Sequence, residues 1–362
     1  MLIDKEMICK TKRRCIYFRA DSSIEIGTGH VIRCLSLADV LKKNGFSIYF
    51  ICRVNKGDIN HIIKDRGYTV YELPSKITRK MDMLLTGEIL NKVKGKPDWL
   101  IVDHYNVDFT WESYVKDYVK KIMVIDDFTN RRHNCDLLLN QNLYKNMEKR
   151  YGGMVPEGCR MLLGTRYILL REQFLALRKR RKRFKKDIKR IMILIGGTDP
   201  TNETLKSLEA FKLLDRDDIE VDVVVGATNP HRDRIKKACG SMPNVHYHCQ
   251  VDNIEALLFK ADIAIGSGGS ASWERCFTGV PSIISSFANN QIEISENLHR
   301  HGIAVNLGWY EDITSEDIAV AIKRLINNPT KRMKMILKGK KIVDGKGAYR
   351  VANAIQEMSR KR

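Results

Sequence analysis

Cys15-Ile-Tyr-Phe-Arg19, then Ile24-Glu-Ile-Gly27-Thr28-Gly29-His30, then Val31 to Asn44 form the stretch on which the fold turns. The first run, rich in β-branched and aromatic side chains, reads as a buried strand. Glycines then break the chain. Apolar residues at 31, 32, 35, 37, 38 and 41, with Gly45 behind them, read as an amphipathic helix over 31–44. Strand, glycine turn and helix in that order are half of a βαβ unit, and the same grammar runs on in both directions. Further strands are expected at 47–52, 69–73, 99–102, 121–125 and 137–140. The pattern restarts at 190–195, 219–225, 245–248, 263–265, 282–284 and 304–306. Helices are expected at 202–214, 231–238, 253–260, from near Ser272, at 292–300 and at 316–326 with Ser315 as N-cap. Strands alternating with helices give mostly parallel sheets covered by helices. The expected fold class is therefore α/β, with two Rossmann-like doubly wound domains facing across a cleft. They are placed at 14–175 and 190–362, the second including the terminal helices, with a basic connector over 176–189.

Composition bounds what such a chain can do. With 362 residues, 43% of them apolar and 29% charged, it can bury a core without metal or disulfide support. Its net charge of +20 points to an anionic ligand or partner. Ten of the basic residues fall in Arg178 to Arg190, which lacks both an apolar helical face and the aromatic interleaving that base stacking uses, so no nucleic-acid partner is expected. Nine scattered cysteines without a C-x-x-C pair read as thiols of a reducing, cytoplasmic compartment. No apolar run reaches the roughly 18 residues of a membrane span, so no membrane insertion is expected. The chain is expected to be a monomer or a weak homo-oligomer.

Chemistry-bearing residues cluster where the strands end. Gly29 and His30 close the first turn and open its helix, where free amides favour an anion. His30 is suited to proton transfer near neutral pH, with a capping or packing histidine as the competing reading. Arg19 and Asp21 lie on the same rim and read either as substrate contacts or as an ordinary ion pair. Asp103-His104-Tyr105 ends the fourth strand, where open α/β sheets bind ligands. There Asp103 would either fix a histidine tautomer or cap a turn. Asp126-Asp127 repeats the arrangement one strand later, but adjacent acids at a strand end are common and no metal is expected. In the second half, Gly196-Gly197-Thr198 and Gly266-Ser267-Gly268-Gly269-Ser270 are small-residue turns suited to a phosphate, and Glu274 is placed to accept from a diol such as ribose. Asn290 and Gln291 supply amides suited to hydroxyl or acetamido groups. Neither a G-x-x-x-x-G-K-[ST] loop nor a G-x-G-x-x-G turn is present, which argues against nucleoside-triphosphate hydrolysis and a dinucleotide cofactor. No cofactor is expected.

Taken together these blocks are more specific than any one turn. Arg19-Ala-Asp-Ser-Ser, Ile26 to Ala38, Val102-Asp-His-Tyr, Cys135-Asp-Leu-Leu-Leu-Asn-Gln141 and Tyr167 to Phe174 in the first half resemble the UDP-2,4-diacetamido-2,4,6-trideoxy-β-L-altropyranose hydrolase family of pseudaminic acid biosynthesis. Gly196 to Asn202, Gly266 to Glu274 and Asp344 to Val351 in the second half agree with it. The resemblance implies a two-domain fold like that of nucleotide-sugar glycosyltransferases (GT-B-like). It also implies a UDP-sugar substrate and hydrolysis with inversion at the anomeric carbon. His30 then corresponds to the catalytic histidine, with Asp103 and His104 beside it. Arg19, Asp21, Gly29, Tyr105, Gly197, Thr198, Gly268, Gly269, Ser270, Glu274, Asn290 and Gln291 become the expected substrate contacts. A glycosyltransferase with the same UDP site is the competing reading.

Overall fold

A computed structural model describes residues 14–177 and 184–360. Among these residues thirteen strands form two sheets. The first contains β1 (Cys15–Ala20), β2 (Ser47–Arg53), β3 (Thr69–Leu73), β4 (Trp99–Asp103), β5 (Ile122–Ile125), β6 (Leu137–Asn140) and β7 (Arg160–Leu163). The second contains β8 (Arg190–Leu194), β9 (Glu220–Val225), β10 (Val245–Cys249), β11 (Ile263–Ser267), β12 (Ser282–Ser286) and β13 (Ala304–Trp309). Their orders are β3-β2-β1-β4-β5-β6-β7 and β10-β9-β8-β11-β12-β13, and every pairing is parallel. In each sheet the winding reverses beside the first strand, between β1 and β4 and between β8 and β11. Such a switch point opens a crevice at the carboxyl ends of the strands. Both Rossmann-like domains expected from the sequence are present.

Period-2 alternation sorts the first sheet into two faces. Ile16, Phe18 and Ala20 pack with Val31, Leu35, Ala38 and Leu41 of the helix Gly29–Lys43. Tyr17, Leu100, Val102 and Val124 face Leu90, Trp111 and Val115 on the other side. Register is reinforced by side chains as well as by the ladder. Phe18 stacks on Phe50 at 4.9 Å and Tyr17 on Tyr49 at 4.8 Å, each pair being directly opposed on β1 and β2. In the second sheet Ile191, Ile193, Val221, Val223, Ile263 and Ile265 build one core with Leu208, Phe211, Ile318 and Ile322.

The chain divides into two compact units at places other than those read from the sequence. One unit runs to Leu169 and takes up Lys346 onwards; the other is Leu170–Gly345. Leu170 to Ala176 goes with the second unit because Arg171 pairs with Glu274 at 2.8 Å and Leu175 packs beside Gly345. The terminal helix Gly347–Arg360 goes with the first. Its Val351, Ala352 and Ile355 are fully buried in that core, and Trp99 Nε1 donates to Ser359 Oγ at 2.8 Å. Residues 178–183 of the basic connector lie outside the described residues. Lys185 and Lys186 of the same stretch are tied to the second unit, their carbonyls accepting from the buried Arg332.

Smaller differences have local causes. Strand β7, only four residues long and at the edge of the sheet with Arg160 and Met161 exposed, was not expected. The cap of Ser315–Ile326 is Thr314, which exchanges hydrogen bonds with Asp317 in a capping box. Asn328 caps the next helix, Pro329–Ile342, its side chain accepting from the Lys331 amide. The eight described cysteines are free thiols. Among the described residues no helix is long and apolar enough to cross a membrane.

Candidate functional site

In the first unit the helix Gly29–Lys43 starts with no side-chain cap, and the amides of Thr28 to Val31 donate to nothing among the described residues. Those unpaired donors and the helix dipole make its N-terminus electropositive. Gly27 is a glycine because its φ of +81° is left-handed. His30 stands in the first turn, 6% exposed. Its Nδ1 lies 2.5 Å from Asp103 Oδ1, and its ring meets Tyr105 edge-on at 4.4 Å. With the proton on Nδ1 held by a carboxylate, Nε2 is the basic nitrogen, and it has no hydrogen-bond partner among the described residues.

Asp103 is held ionised. Burial alone would raise its pKa, but Arg33 and His30 hold it well below the usual carboxylate range. Arg33, one turn after His30, donates to both Asp103 oxygens at 2.6 Å and to both Asp127 oxygens at 3.0 and 2.9 Å. Asp127 also accepts from Tyr105 at 2.7 Å and from Asn142 at 2.7 Å. Every carboxylate of this cluster is thus occupied by protein donors, and among the described residues no group of three His, Cys, Asp or Glu is arranged to hold a metal.

A second network lies beside it. Arg19, fully buried, donates to Asp21 at 2.5 and 2.9 Å and to Asp82 at 2.5 and 3.2 Å. Asp82 also takes Arg53 and Trp111 Nε1. His104 donates from Nε2 to Asp21 at 2.9 Å, while its Nδ1 accepts from the Asn106 amide at 3.0 Å. Both nitrogens are therefore used within the protein, and burial lowers the imidazole's pKa. Arg19 likewise divides its guanidinium between Asp21 and Asp82, a network that braces the end of β1. The geometry brings His30, Asp103 and Tyr105 together and moves Arg19, Asp21 and His104 one layer away. Arg33 and Asp127, which share the hydrogen-bond network of His30 and Asp103, were not among the expected catalytic or substrate-binding residues. The available signal was the i, i+3 spacing of Arg33 from His30 and the acid pair ending β5.

In the second unit the two turns expected to meet a phosphate follow β8 and β11, at the switch point. The amides of Gly197 and Thr198 and those of Gly269, Ser270 and Ala271 donate to no atom among the described residues. Gly268 uses its own amide on Ser285 O. Gly266 and Gly268 are explained by packing within the protein. A Cβ at 266 would lie 2.5 Å from Arg275 Nη1, and one at 268 would lie 1.9 Å from Ser295 Oγ. At Gly269 the nearest atoms would be 3.6 and 3.7 Å away, ordinary contact. Glu274, in the first turn of the helix Ala271–Thr278, gives Oε1 to Arg171 at 2.8 to 2.9 Å and leaves Oε2 without a partner among the described residues. Gln291 Oε1 accepts from the Phe287 amide at 3.2 Å and its backbone backs Gly268, whereas Asn290 is half-buried.

Against this geometry the similarity to known proteins can be set. Over 257 residues the chain is 32% identical to the UDP-2,4-diacetamido-2,4,6-trideoxy-beta-L-altropyranose hydrolase of Campylobacter jejuni, covering 70% of this chain and 85% of that one. The chain belongs to that hydrolase's family. Another relative, the spore coat polysaccharide biosynthesis protein SpsG of Bacillus subtilis, is 26% identical over 355 residues, which cover 94% of this chain and 97% of that one. Residues 190–349 match the glycosyltransferase family 28 C-terminal domain. Among solved structures, MurG of Acinetobacter baumannii superposes with a TM-score of 0.64 at 13% identity, over 95% of this chain and 100% of that one. The family thus shares its fold with two-domain GT-B-like glycosyltransferases.

Proposed function

We propose that the protein is an enzyme acting on a UDP-sugar, in which the second unit holds the nucleotide and the first supplies a general base, His30. The observation that carries the reading is the pairing of His30 Nδ1 with Asp103, which leaves Nε2 free at an uncapped helix N-terminus. In the proposed step an O–H acceptor attacks the anomeric carbon, the bond from that carbon to the diphosphate oxygen breaks, and the acceptor's proton passes to His30 Nε2. The leaving UDP takes the bonding pair. Its growing charge calls for fixed donors, and the unpaired amides of Gly269 to Ala271 and Gly197 to Thr198 are of the right kind. The free oxygen of Glu274 suits a ribose hydroxyl. Attack opposite the leaving group inverts the anomeric centre.

Two acceptors fit this step. Transfer to a hydroxyl has the broader support from the comparisons, since the second unit matches a glycosyltransferase domain and the fold is shared with MurG. Hydrolysis, with water as acceptor and a 2,4-diacetamido-2,4,6-trideoxy sugar of altropyranose type as substrate, is supported by the Campylobacter relative and by the motif blocks around His30. One experiment separates them. Purified protein is incubated with a panel of UDP- and GDP-sugars in 18O-water, with released nucleotide and labelled sugar resolved by mass spectrometry. UDP release with one 18O in the sugar and no added acceptor establishes hydrolysis. Release that waits for an added alcohol establishes transfer, and no nucleotide release under either condition rejects the reading.

A further inference from the structure

Arg275 follows Glu274 in the helix Ala271–Thr278 and is 1% exposed. Nη2 donates to Ser267 O at 2.6 Å and to Ser272 Oγ at 2.8 Å; Nε and Nη1 have no hydrogen-bond partner among the described residues. It enters no ion pair among them either. The contrast with the other deeply buried guanidiniums is sharp. Arg19 holds Asp21 and Asp82, Arg33 holds Asp103 and Asp127, and Arg332 donates to the carbonyls of Leu325, Ile326, Lys185 and Lys186. Arg275 has one carbonyl and one hydroxyl. Beside it lies a cavity of about 10 Å³, bounded by Ser272, Cys276, Ser282, Leu298 and Met335, with room for no more than a water molecule. Burial brings its pKa down to about 10, so it is still a cation at neutral pH.

A buried charge lacking a counter-ion is costly to fold, and chains normally pair it or replace it. Here the guanidinium packs against the turn instead: a Cβ at Gly266 would lie 2.5 Å from Nη1 and 2.7 Å from Leu194 O, so a glycine lets both approach. The guanidinium is anchored to Ser267 O, the carbonyl immediately before the turn Gly268–Ser270, whose following amides are unpaired. In a low-dielectric interior its field is weakly screened.

We propose that Arg275 is a positioning residue for the nucleotide's diphosphate, an internal cation fixed beneath the turn Gly268–Ser270 whose missing counter-charge is supplied by the bound anion. The inference rests on the UDP-sugar reading and adds to it the source of the turn's positive potential. It has two consequences of opposite sign. Removing the charge weakens binding of an anionic ligand, and it leaves the free protein as stable as before or more so.

Isothermal titration with UDP and with uridine, which shares base and ribose but carries no charge, tests this together with thermal unfolding. The variants are Arg275→Met, Arg275→Gln, which can still donate to Ser267 O, and Arg275→Lys, which keeps the charge. Met and Gln are expected to weaken UDP binding at least ten-fold, to leave uridine binding within two-fold and not to lower the melting temperature of the free protein. Lys is expected to retain most of the UDP affinity. UDP binding within two-fold of wild type in the Met and Gln variants overturns the proposal. So does a parallel loss of UDP and uridine, or a fall in stability of the free protein in both, because a merely structural arginine behaves that way. A wild-type protein that binds uridine and UDP equally or not at all defeats the UDP reading itself, and this inference with it.

Discussion

The contact of His30 Nδ1 with an Asp103 oxygen 2.5 Å away draws the ring proton to that nitrogen and leaves Nε2 free to work. Replacing His30 by asparagine leaves the helix and the second unit intact but removes the acceptor. Turnover is expected to fall by ~10²–10⁴, the usual worth of a positioned general base, with UDP affinity and melting temperature unchanged. Under saturating UDP-sugar the loss should appear in kcat, with KM little changed. A mutant that keeps a tenth of wild-type turnover removes His30 from the role. His104, by contrast, has both of its nitrogens bonded within the protein, to Asp21 and the Asn106 amide. His30 and Asp103 were both legible in the sequence because each sits where a strand ends and polarity begins. Arg33, their common partner, was not, because nothing local marks an arginine that reaches carboxylates 70 and 94 residues further on.

Turns and loops carry their own tests. The two glycines that begin the turn after β11 look equivalent in sequence, but a Cβ at Gly268 meets Ser295 Oγ at 1.9 Å and Gln291 O at 3.0 Å, whereas one at Gly269 meets nothing nearer than 3.6 Å. Gly268→Ala is expected to lower the melting temperature and Gly269→Ala to leave it unchanged, as read by calorimetry of the free protein. Further along the first sheet, the loop after β5 is tied to the helix Phe109–Val115 through His133. Its Nδ1 lies 2.7 Å from Glu112 Oε1 and its Nε2 3.8 Å from Asp126 Oδ1. Burial would lower this imidazole's pKa, but Asp126 and Glu112 on either side overcome that and raise it to about 9. A histidine whose folded pKa lies above its unfolded one stabilises the fold fully below the unfolded value, near 6.5, and loses that contribution as pH rises through the folded one. Urea unfolding of the first unit should therefore show stability falling between about pH 6.5 and 9, by a total of the order of 3 kcal/mol. In His133→Gln that slope should vanish; a slope unchanged in the variant assigns it to other groups.

At the scale of the whole molecule, the last helix belongs to the first unit although the entire second unit precedes it in the chain. Ile355, fully buried against that first core, is the residue to test it with. Ile355→Ala should cost about 2–5 kcal/mol, and hydrogen exchange should quicken in β1 and β4 while β8 and β11 keep their rates. Faster exchange in β8 and β11 instead would place the helix with the other unit. All strands but β7, the turns and many of the helices were legible in the sequence itself, because period-2 and period-3.6 patterns and glycine punctuation act over a few neighbouring residues. Cys15–Ala20 and Gly29–Lys43 could be read within two residues of their ends. Which side chains meet was decided only by the tertiary structure. The Arg33 clamp, the diversion of Arg19 and His104 into a bracing network, the crowding that explains Gly266 and Gly268, and the unpartnered charge of Arg275 all depend on contacts between segments far apart in the chain. Charge and burial compete at each of those contacts, and the outcome exists only once the sheets have brought the partners to within a few ångströms.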